Sequence, residues 1–158
     1  MSGIDDAPTT ATEALWREHA DELLRFATVL VGPSDANDIV ADAFIRCVPA
    51  LANTAVDNQR AYLFRAVGNR AHDLRRTRQR RWSRDLAAIL PTASESSDLL
   101  LDVRRAVAAL SVAQRAVVYL IYWEDRTEAD AAEFLQVSPG TIRRHLTRAR
   151  NHLRKALR

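Results

Sequence analysis

Apolar residues recur with helical spacing along almost the whole chain, and no stretch alternates with the two-residue period of a strand. In the N-terminal part this pattern predicts three helices. The first starts with a capping box at Thr10 and stops at Gly32, the second runs from a Ser34 cap to Pro49, and the third starts at Asn58. The pattern therefore predicts an all-α fold.

A second set of helices is predicted in the C-terminal part. One helix starts near Leu100, a capping box at Ser111 opens the next, and Thr127 opens a short one. Ser138 is a favourable N-cap, and Pro139 follows it at the first helical position, where its missing N–H costs nothing. This pair opens the last predicted helix.

The apolar pattern loosens between the two sets of helices, and residues 91–97 have the Pro, Ser and Thr composition of a linker. We therefore predict two small helical domains, at residues 10–82 and 98–158, joined by a flexible linker at residues 83–97.

Charge is distributed in four blocks that the net charge of +3 conceals. Residues 1–59 carry 3 basic and 10 acidic residues, and residues 60–84 carry 9 basic residues and 1 acidic residue. Residues 85–139 carry 4 basic and 9 acidic residues, and residues 140–158 carry 7 basic residues and no acidic one. Two basic blocks in one small protein favour a polyanionic partner such as nucleic acid.

The segment from Thr127 to Arg150 matches a helix-turn-helix unit, with a short helix, a tight turn and a longer basic helix. In that unit the second helix enters the major groove of DNA. The outward positions predicted to contact DNA are Arg143, Arg144, Thr147 and Arg148, with Arg150 nearer to phosphate. The alternative is a basic helix that only faces solvent. We favour DNA binding, because the predicted turn, the N-cap and the positive charge each indicate it independently.

The basic third helix is a second candidate nucleic-acid surface. The polar loop before it, from Asn53 to Asn58, could take an unstacked base, while the helix follows the phosphate backbone. The predicted contacts on the helix are Arg65, Asn69, Arg76 and Arg80. Taken alone, this block fits a solvated face equally well.

Three carboxylates, Asp35, Asp38 and Asp42, share one face of the second helix at spacing i, i+3, i+7. No histidine stands among them, so a surface for a basic protein partner or plain solubility is favoured over a metal site. No metal site is expected elsewhere either: His145 and His152 are too far apart for a simple ligand pair.

The sequence contains no motif of a serine hydrolase, a P-loop enzyme or a zinc protease. The single cysteine, Cys47, excludes a disulfide framework and a cysteine-cluster zinc site, and is expected to be a buried thiol. The longest apolar run is eight residues, too short to span a membrane, and no signal peptide is visible. We therefore expect a cytoplasmic protein with no cofactor and no membrane insertion.

Three segments together resemble bacterial RNA polymerase sigma factors of the extracytoplasmic-function (ECF) group. Residues 34–46 are similar to the family's polymerase-binding helix, and residues 60–76 to the helix that melts and holds the minus-ten promoter element. Residues 140–150 are similar to the recognition helix for the minus-thirty-five element. The resemblance covers about Leu15 to Leu157 in the same order, although Gly68 stands where the family usually has a basic residue.

The resemblance implies that the predicted domains at 10–82 and 98–158 are sigma regions 2 and 4, and that the chain performs no catalysis. It implies core RNA polymerase and promoter DNA as partners, and suggests an anti-sigma factor as well. Two alternatives remain: a stand-alone helix-turn-helix regulator with an N-terminal dimerisation or sensing domain, and a nucleic-acid enzyme that uses Asp38 and Asp42 as metal ligands.

Overall fold

A computed structural model describes residues 7–53, 56–89 and 95–158, with side chains at 10–53, 56–76 and 98–158. The described residues form seven α-helices and no strand, which confirms the all-α prediction. A π-helical turn, Tyr119–Trp123, continues the fifth helix. The helices are α1 (Ala7–Val31), α2 (Pro33–Ala52), α3 (Gln59–Ile89), α4 (Glu95–Ala108), α5 (Val112–Val118), α6 (Glu128–Leu135) and α7 (Pro139–Ala156).

The ends of α1 and α2 differ from the sequence prediction. Helix α1 begins at Ala7, before the capping box predicted at Thr10. Gly32 has a φ of 88°, which glycine adopts at little cost, and it caps α2 in place of Ser34. Helix α2 then continues through Pro49. A proline near a helix end removes a single backbone hydrogen bond, and burial of Leu51 on the core side holds this last turn.

Helices extend into the predicted linker at residues 83–97. Residues 83–89 are helical as the end of α3, and α4 already begins at Glu95. The sequence between Arg84 and Ile89 has no glycine or proline, and its alanine, leucine and arginine residues favour helix even without an apolar stripe. Residues 90–94, where the remaining linker lies, are outside the described residues.

The N-terminal caps of the C-terminal helices follow the sequence closely. Ser111 forms a reciprocal capping box with Gln114, as predicted. Thr127 forms a second capping box with Asp130, and Ser138 accepts a hydrogen bond from the backbone N–H of Thr141 at 3.2 Å. These caps fix where α5, α6 and α7 begin.

One hydrophobic core runs through both predicted domains. Helices α1, α2 and α3 pack together, α5 packs against α1 and α3, and α6 packs against α3. Helix α7 packs on α4, α5 and α6. The Phe26 ring lies 4.8 Å from that of Phe64 and 5.1 Å from that of Tyr119, and Phe64 lies 5.3 Å from Phe134. The C-terminal helices are therefore docked on the N-terminal bundle. The loop at residues 56–58 faces α6 across a cleft.

Candidate nucleic-acid interface

Helix α7 separates apolar and basic residues onto opposite faces. Ile142, Leu146 and Ala149 are buried against the helices beneath, while the basic residues of the helix are exposed. The left-handed backbone of Gln136, with a φ of 54°, turns the chain between α6 and α7. Asparagine and glycine are more usual in that conformation than glutamine. The turn and the Ser138 cap together place the first turns of α7 at the surface.

The predicted DNA contacts on α7 lie where the sequence analysis expects them. Arg144, Thr147 and Arg148 are exposed, and within the described part of the chain neither arginine forms an ion pair. Like charges at i and i+4 repel each other weakly on a helix, so a bound polyanion would relieve this repulsion. This pair of unneutralised guanidinium groups is the main electrostatic feature of the face.

Two of the predicted contacts have partners within the protein. The Nε of Arg143 donates to Oε2 of Glu128 at 3.2 Å, and the Nε of Arg150 donates to the hydroxyl of Tyr122 at 2.8 Å. Both contacts are solvent-exposed, so each is worth little and can exchange for a phosphate or a base. Glu128 and Tyr122 therefore orient the two arginines and leave them available to a nucleic acid.

His145 differs from its neighbours on α7. Its side chain is half-buried and lines a cleft of about 350 Å³ between α7 and α3, together with Gly68, Asn69 and His72. Burial lowers the pKa of His145, and the positive charges of Arg144 and Arg148 lower it further. His145 therefore lies beside the cleft with α3 and is less exposed than Arg144 and Arg148.

The predicted contacts on α3 are divided between the surface and the protein interior. Asn69 and Arg76 are exposed, but Nη1 of Arg65 donates to the backbone oxygen of Phe134 at 2.8 Å. Arg80 belongs to α3, and its side chain lies outside the described residues. Helix α3 thus offers polar groups to solvent and also binds the C-terminal half of the same chain.

The polar loop before α3 contributes to structure as well as to a cleft. Asn58 Oδ1 accepts a hydrogen bond from the backbone N–H of Ala61 at 2.9 Å, as an N-cap does. Asn53 is exposed at the end of α2, and residues 54–55 lie outside the described residues. Asn58, Tyr62 and Arg65 line one side of a cleft of about 560 Å³. Its opposite side is formed by the C-terminal half.

The acidic face of α2 is only partly available to a partner. Asp38 is exposed, whereas Asp35 is half-buried. Asp42 Oδ2 lies 3.1 Å from Nε of Arg46 and 2.5 Å from Nε of Arg70, so Asp42 ties α2 to α3. Among the described residues no group of three or more histidine, cysteine or acidic side chains could hold a metal ion.

Comparison with known proteins covers both halves of the chain. The family profile for "Sigma-70 region 2" matches residues 15–81, and that for "Sigma-70, region 4" matches residues 100–153. The ECF RNA polymerase sigma factor SigL of Mycobacterium tuberculosis is 30% identical over 168 residues, covering 99% of this chain and 94% of that protein. The chain belongs to the sigma-70 family, in its ECF group.

Further relatives support the same placement. The ECF sigma factor SigM of Mycobacterium tuberculosis is 29% identical, covering 93% of this chain and 77% of that protein. The RNA polymerase sigma-E factor of Streptomyces avermitilis is 33% identical, covering 89% and 82%. As a sigma factor, this protein has a role in transcription initiation.

Two solved structures share the fold. The sigma factor RpoE from Bartonella quintana, in complex with the anti-sigma factor NepR, aligns with a TM-score of 0.66 and 25% identity, covering 92% of this chain and 95% of that one. CnrH, in complex with the cytosolic domain of CnrY, also aligns with a TM-score of 0.66 and 25% identity, covering 94% and 88%. No helix among the described residues of this sigma factor is long and apolar enough to cross a bilayer.

Three of the arginines that join the two halves of this sigma factor are not among the site residues predicted from the sequence. Arg60 binds Glu22 and Glu124, the latter 64 positions away in sequence, and Arg75 Nη1 donates to the backbone oxygen of Leu110 at 2.6 Å. Arg115 is buried, and its Nη1 lies 3.5 Å from the backbone oxygen of Val29. No local spacing signals such contacts, because their partners meet only after the halves dock.

Proposed function

We propose that this chain binds core RNA polymerase as its sigma subunit and directs initiation at specific promoters. The first turns of α7 would read the minus-thirty-five element in the major groove, and α3 with the loop before it would hold the separated minus-ten strand. The observation that carries the proposal is the exposed, unneutralised pair Arg144 and Arg148, on the helix that the region 4 profile covers. In this proposal the polymerase, and not this chain, catalyses RNA synthesis.

The recognition step is supported by the geometry of α7. Arg144 lies in the second turn, opposite the buried Ile142 and Leu146, so its guanidinium projects away from the protein. Arginine binds guanine through two parallel hydrogen bonds in the major groove, and phosphate accepts any nearby cation. Arg143 and Arg150, oriented by side-chain contacts, flank this position.

The polymerase-binding step is supported by the exposed carboxylate of Asp38 on α2. Because Asp42 already pairs with two arginines, we assign Asp38 the larger share of the contact with a basic polymerase surface. The stand-alone regulator proposed as an alternative would leave the N-terminal half without a polymerase-binding role. The match of residues 15–81 to sigma region 2 favours the sigma factor.

The test is reconstitution with core RNA polymerase. The chain should co-purify with core enzyme and support run-off transcription from a subset of promoters in genomic DNA. Asp38→Lys should weaken co-purification strongly, while Asp21→Lys, an exposed acid on α1, serves as the matched control. Failure of the wild-type chain to bind core enzyme, with duplex DNA binding retained, would favour the stand-alone regulator.

A third partner is proposed from the solved relatives. Both RpoE and CnrH were solved in complexes with other proteins, and the partner of RpoE is an anti-sigma factor. We propose that an anti-sigma factor also binds this chain, and co-purification from the native host would identify it.

A further inference from the structure

We infer that Tyr122, on the π-helical turn before α6, binds the DNA backbone together with Arg150 of α7, so that the two side chains share one phosphate beside the minus-thirty-five element. This inference rests on the proposed function of α7 in promoter recognition. It adds a DNA-binding residue that lies before the helix-turn-helix segment, which starts at Thr127.

The π-helical turn Tyr119–Trp123 presents two consecutive aromatic side chains to solvent. The backbone N–H of Glu124 donates to the oxygen of Tyr119, five residues back, at 3.1 Å, as in a π-helix. Such a turn holds one residue more than an α-helical turn, so the residues at its end are shifted around the helix. Tyr119 remains buried, whereas Tyr122 is 59% exposed and Trp123 is 68% exposed. Single π-helical turns are rare in proteins and frequently lie at functional sites.

Tyr122 holds the guanidinium group of Arg150 in a fixed direction. Nε of Arg150 donates to the hydroxyl of Tyr122 at 2.8 Å, and Cζ of Arg150 lies 5.8 Å from the centre of the tyrosine ring. An arginine has five N–H groups, and this hydrogen bond uses only one of them. The hydroxyl accepts this bond through a lone pair, so its own O–H is left to donate to another group.

The partner of Arg150 is neutral, and this distinguishes Arg150 from Arg143. Arg143 lies seven residues earlier on the same side of α7, but it pairs with the carboxylate of Glu128 at 3.2 Å. A carboxylate orients a guanidinium and also neutralises it, whereas a phenol orients it and leaves its positive charge. Residues 140–158 include no acidic residue, so α7 itself supplies no carboxylate for Arg150. Arg150 is therefore held in place without being neutralised, which suits a phosphate-binding group.

The position of the pair favours the DNA backbone over the edges of the bases. Arg144, proposed to read a base, lies opposite the buried Ile142. Arg150 is six residues further along α7, about 9 Å at a rise of about 1.5 Å per residue, on the side that faces the π-helical turn. The N-terminal residues of a recognition helix contact the bases. A side chain in its later turns, beside the preceding helix, is therefore expected to meet the phosphates that border the groove.

Tyr122 and Arg150 offer complementary donors to one phosphate. The two Nη atoms of Arg150 carry four N–H groups, enough for two parallel hydrogen bonds to a pair of phosphate oxygens. The O–H of Tyr122, held beside Nε of Arg150, donates to an oxygen of the same phosphate. Because a phosphate carries no sequence information, this contact should strengthen binding to all promoter sequences alike.

The first experiment measures promoter binding by holoenzyme reconstituted with Tyr122→Phe, Arg150→Ala or both changes. Tyr122→Phe should bind every minus-thirty-five variant about fivefold more weakly, as expected for one lost hydrogen bond, with an unchanged salt slope. Arg150→Ala should bind about tenfold more weakly and lower the salt slope by about one unit. Because each side chain positions the other, the double variant should lose clearly less than the product of these losses, about fiftyfold. Losses that multiply, or no loss in Tyr122→Phe, would overturn the inference.

The matched controls are Trp123→Phe and Arg104→Ala. Trp123 stacks on Tyr119 at the end of the same turn, with ring centres 6.2 Å apart, and phenylalanine keeps a ring at this position. Arg104 is exposed on α4, so its removal takes the same charge from the same half of the chain. Both controls should bind promoters like wild type, and circular dichroism should show unchanged helix content in all variants. A loss in Trp123→Phe equal to that in Tyr122→Phe would indicate a structural role of the turn and contradict the inference.

The second experiment locates the phosphate. Duplex promoters carry a single neutral methylphosphonate in place of one phosphate, moved in turn along both strands of the minus-thirty-five element. At one position the substitution should weaken binding by wild type, have little effect on Arg150→Ala and have an intermediate effect on Tyr122→Phe. Absence of such a position, or an altered base preference in Tyr122→Phe, would refute a shared phosphate contact.

The inference and the proposed function fail in different ways in these experiments. Wild-type holoenzyme that binds no promoter would refute the proposed function of the chain, and the inference with it. Wild-type holoenzyme that binds promoters with normal base preference, but is unaffected by Tyr122→Phe, would refute the inference alone.

Discussion

We expect Arg144 to determine which promoter sequences are preferred. Arg154 should contribute only to the overall affinity for DNA. Arg144 is exposed in the second turn of α7. Ten residues later, at a rise of about 1.5 Å per residue, Arg154 lies about 15 Å further along the axis. That distance exceeds the width of the major groove, about 12 Å, so the two residues should meet different parts of the DNA.

The expected magnitudes follow from this placement. Loss of a bidentate base contact costs about 1–3 kcal/mol, which at about 1.4 kcal/mol per tenfold is about a 5- to 150-fold loss on the preferred promoter. Loss of a phosphate contact weakens binding to all sequences alike and lowers the salt slope by about one unit. Removing Arg144 also relieves its repulsion with Arg148, so the free protein should be no less stable.

The assay compares Arg144→Ala and Arg154→Ala as holoenzyme on a panel of single-base variants of the minus-thirty-five element, at two salt concentrations. Arg144→Ala should lose discrimination at one base pair, and Arg154→Ala should keep the wild-type ranking. Equal losses for both variants, independent of sequence, would refute the placement of α7 in the groove. Thermal unfolding of both variants checks that neither loss reflects an unfolded domain.

Three further changes test the packing beneath this site. Gly68→Ala should raise the free energy of unfolding by about 1 kcal/mol in urea titrations, because an added Cβ meets no atom within 4 Å and alanine favours helix over glycine. Arg115→Met should lower the free energy of unfolding by about 1–3 kcal/mol, because the buried Arg115 donates to the backbone oxygen of Val29 and methionine would leave that acceptor unpaired, whereas Arg104→Met, at an exposed site, should change little. His145→Gln should reduce the decrease in the free energy of unfolding that occurs between pH 7 and pH 5. Because the folded-state pKa of His145 is lowered, the wild type loses stability as the pH falls below the unfolded-state pKa of about 6.5.

Much of the secondary structure of this protein follows from local sequence signals. The capping box at Ser111 and the Ser138-Pro139 start of α7 depend on residues within three or four positions of each other, so the sequence alone predicts them correctly. The same is true of the split between the buried and basic faces of α7, because helical spacing assigns each residue to one side. Helix class and the helix-turn-helix unit follow from these local signals.

The tertiary structure determines which charged side chains remain available to a binding partner. Arg65 and Asp42 carry the right residue types for DNA and polymerase contacts, yet Arg65 binds the Phe134 backbone and Asp42 pairs with Arg46 and Arg70. The helical ends at Ala52 and Ile89 also depend on more than local breakers, since burial of Leu51 holds the turn after Pro49. Sequence spacing assigns a side chain to a helix face, but only the docking of the two halves determines what that face meets. The physical reason is that contacts such as that of Arg60 with Glu124 join residues 64 positions apart, which no local pattern encodes.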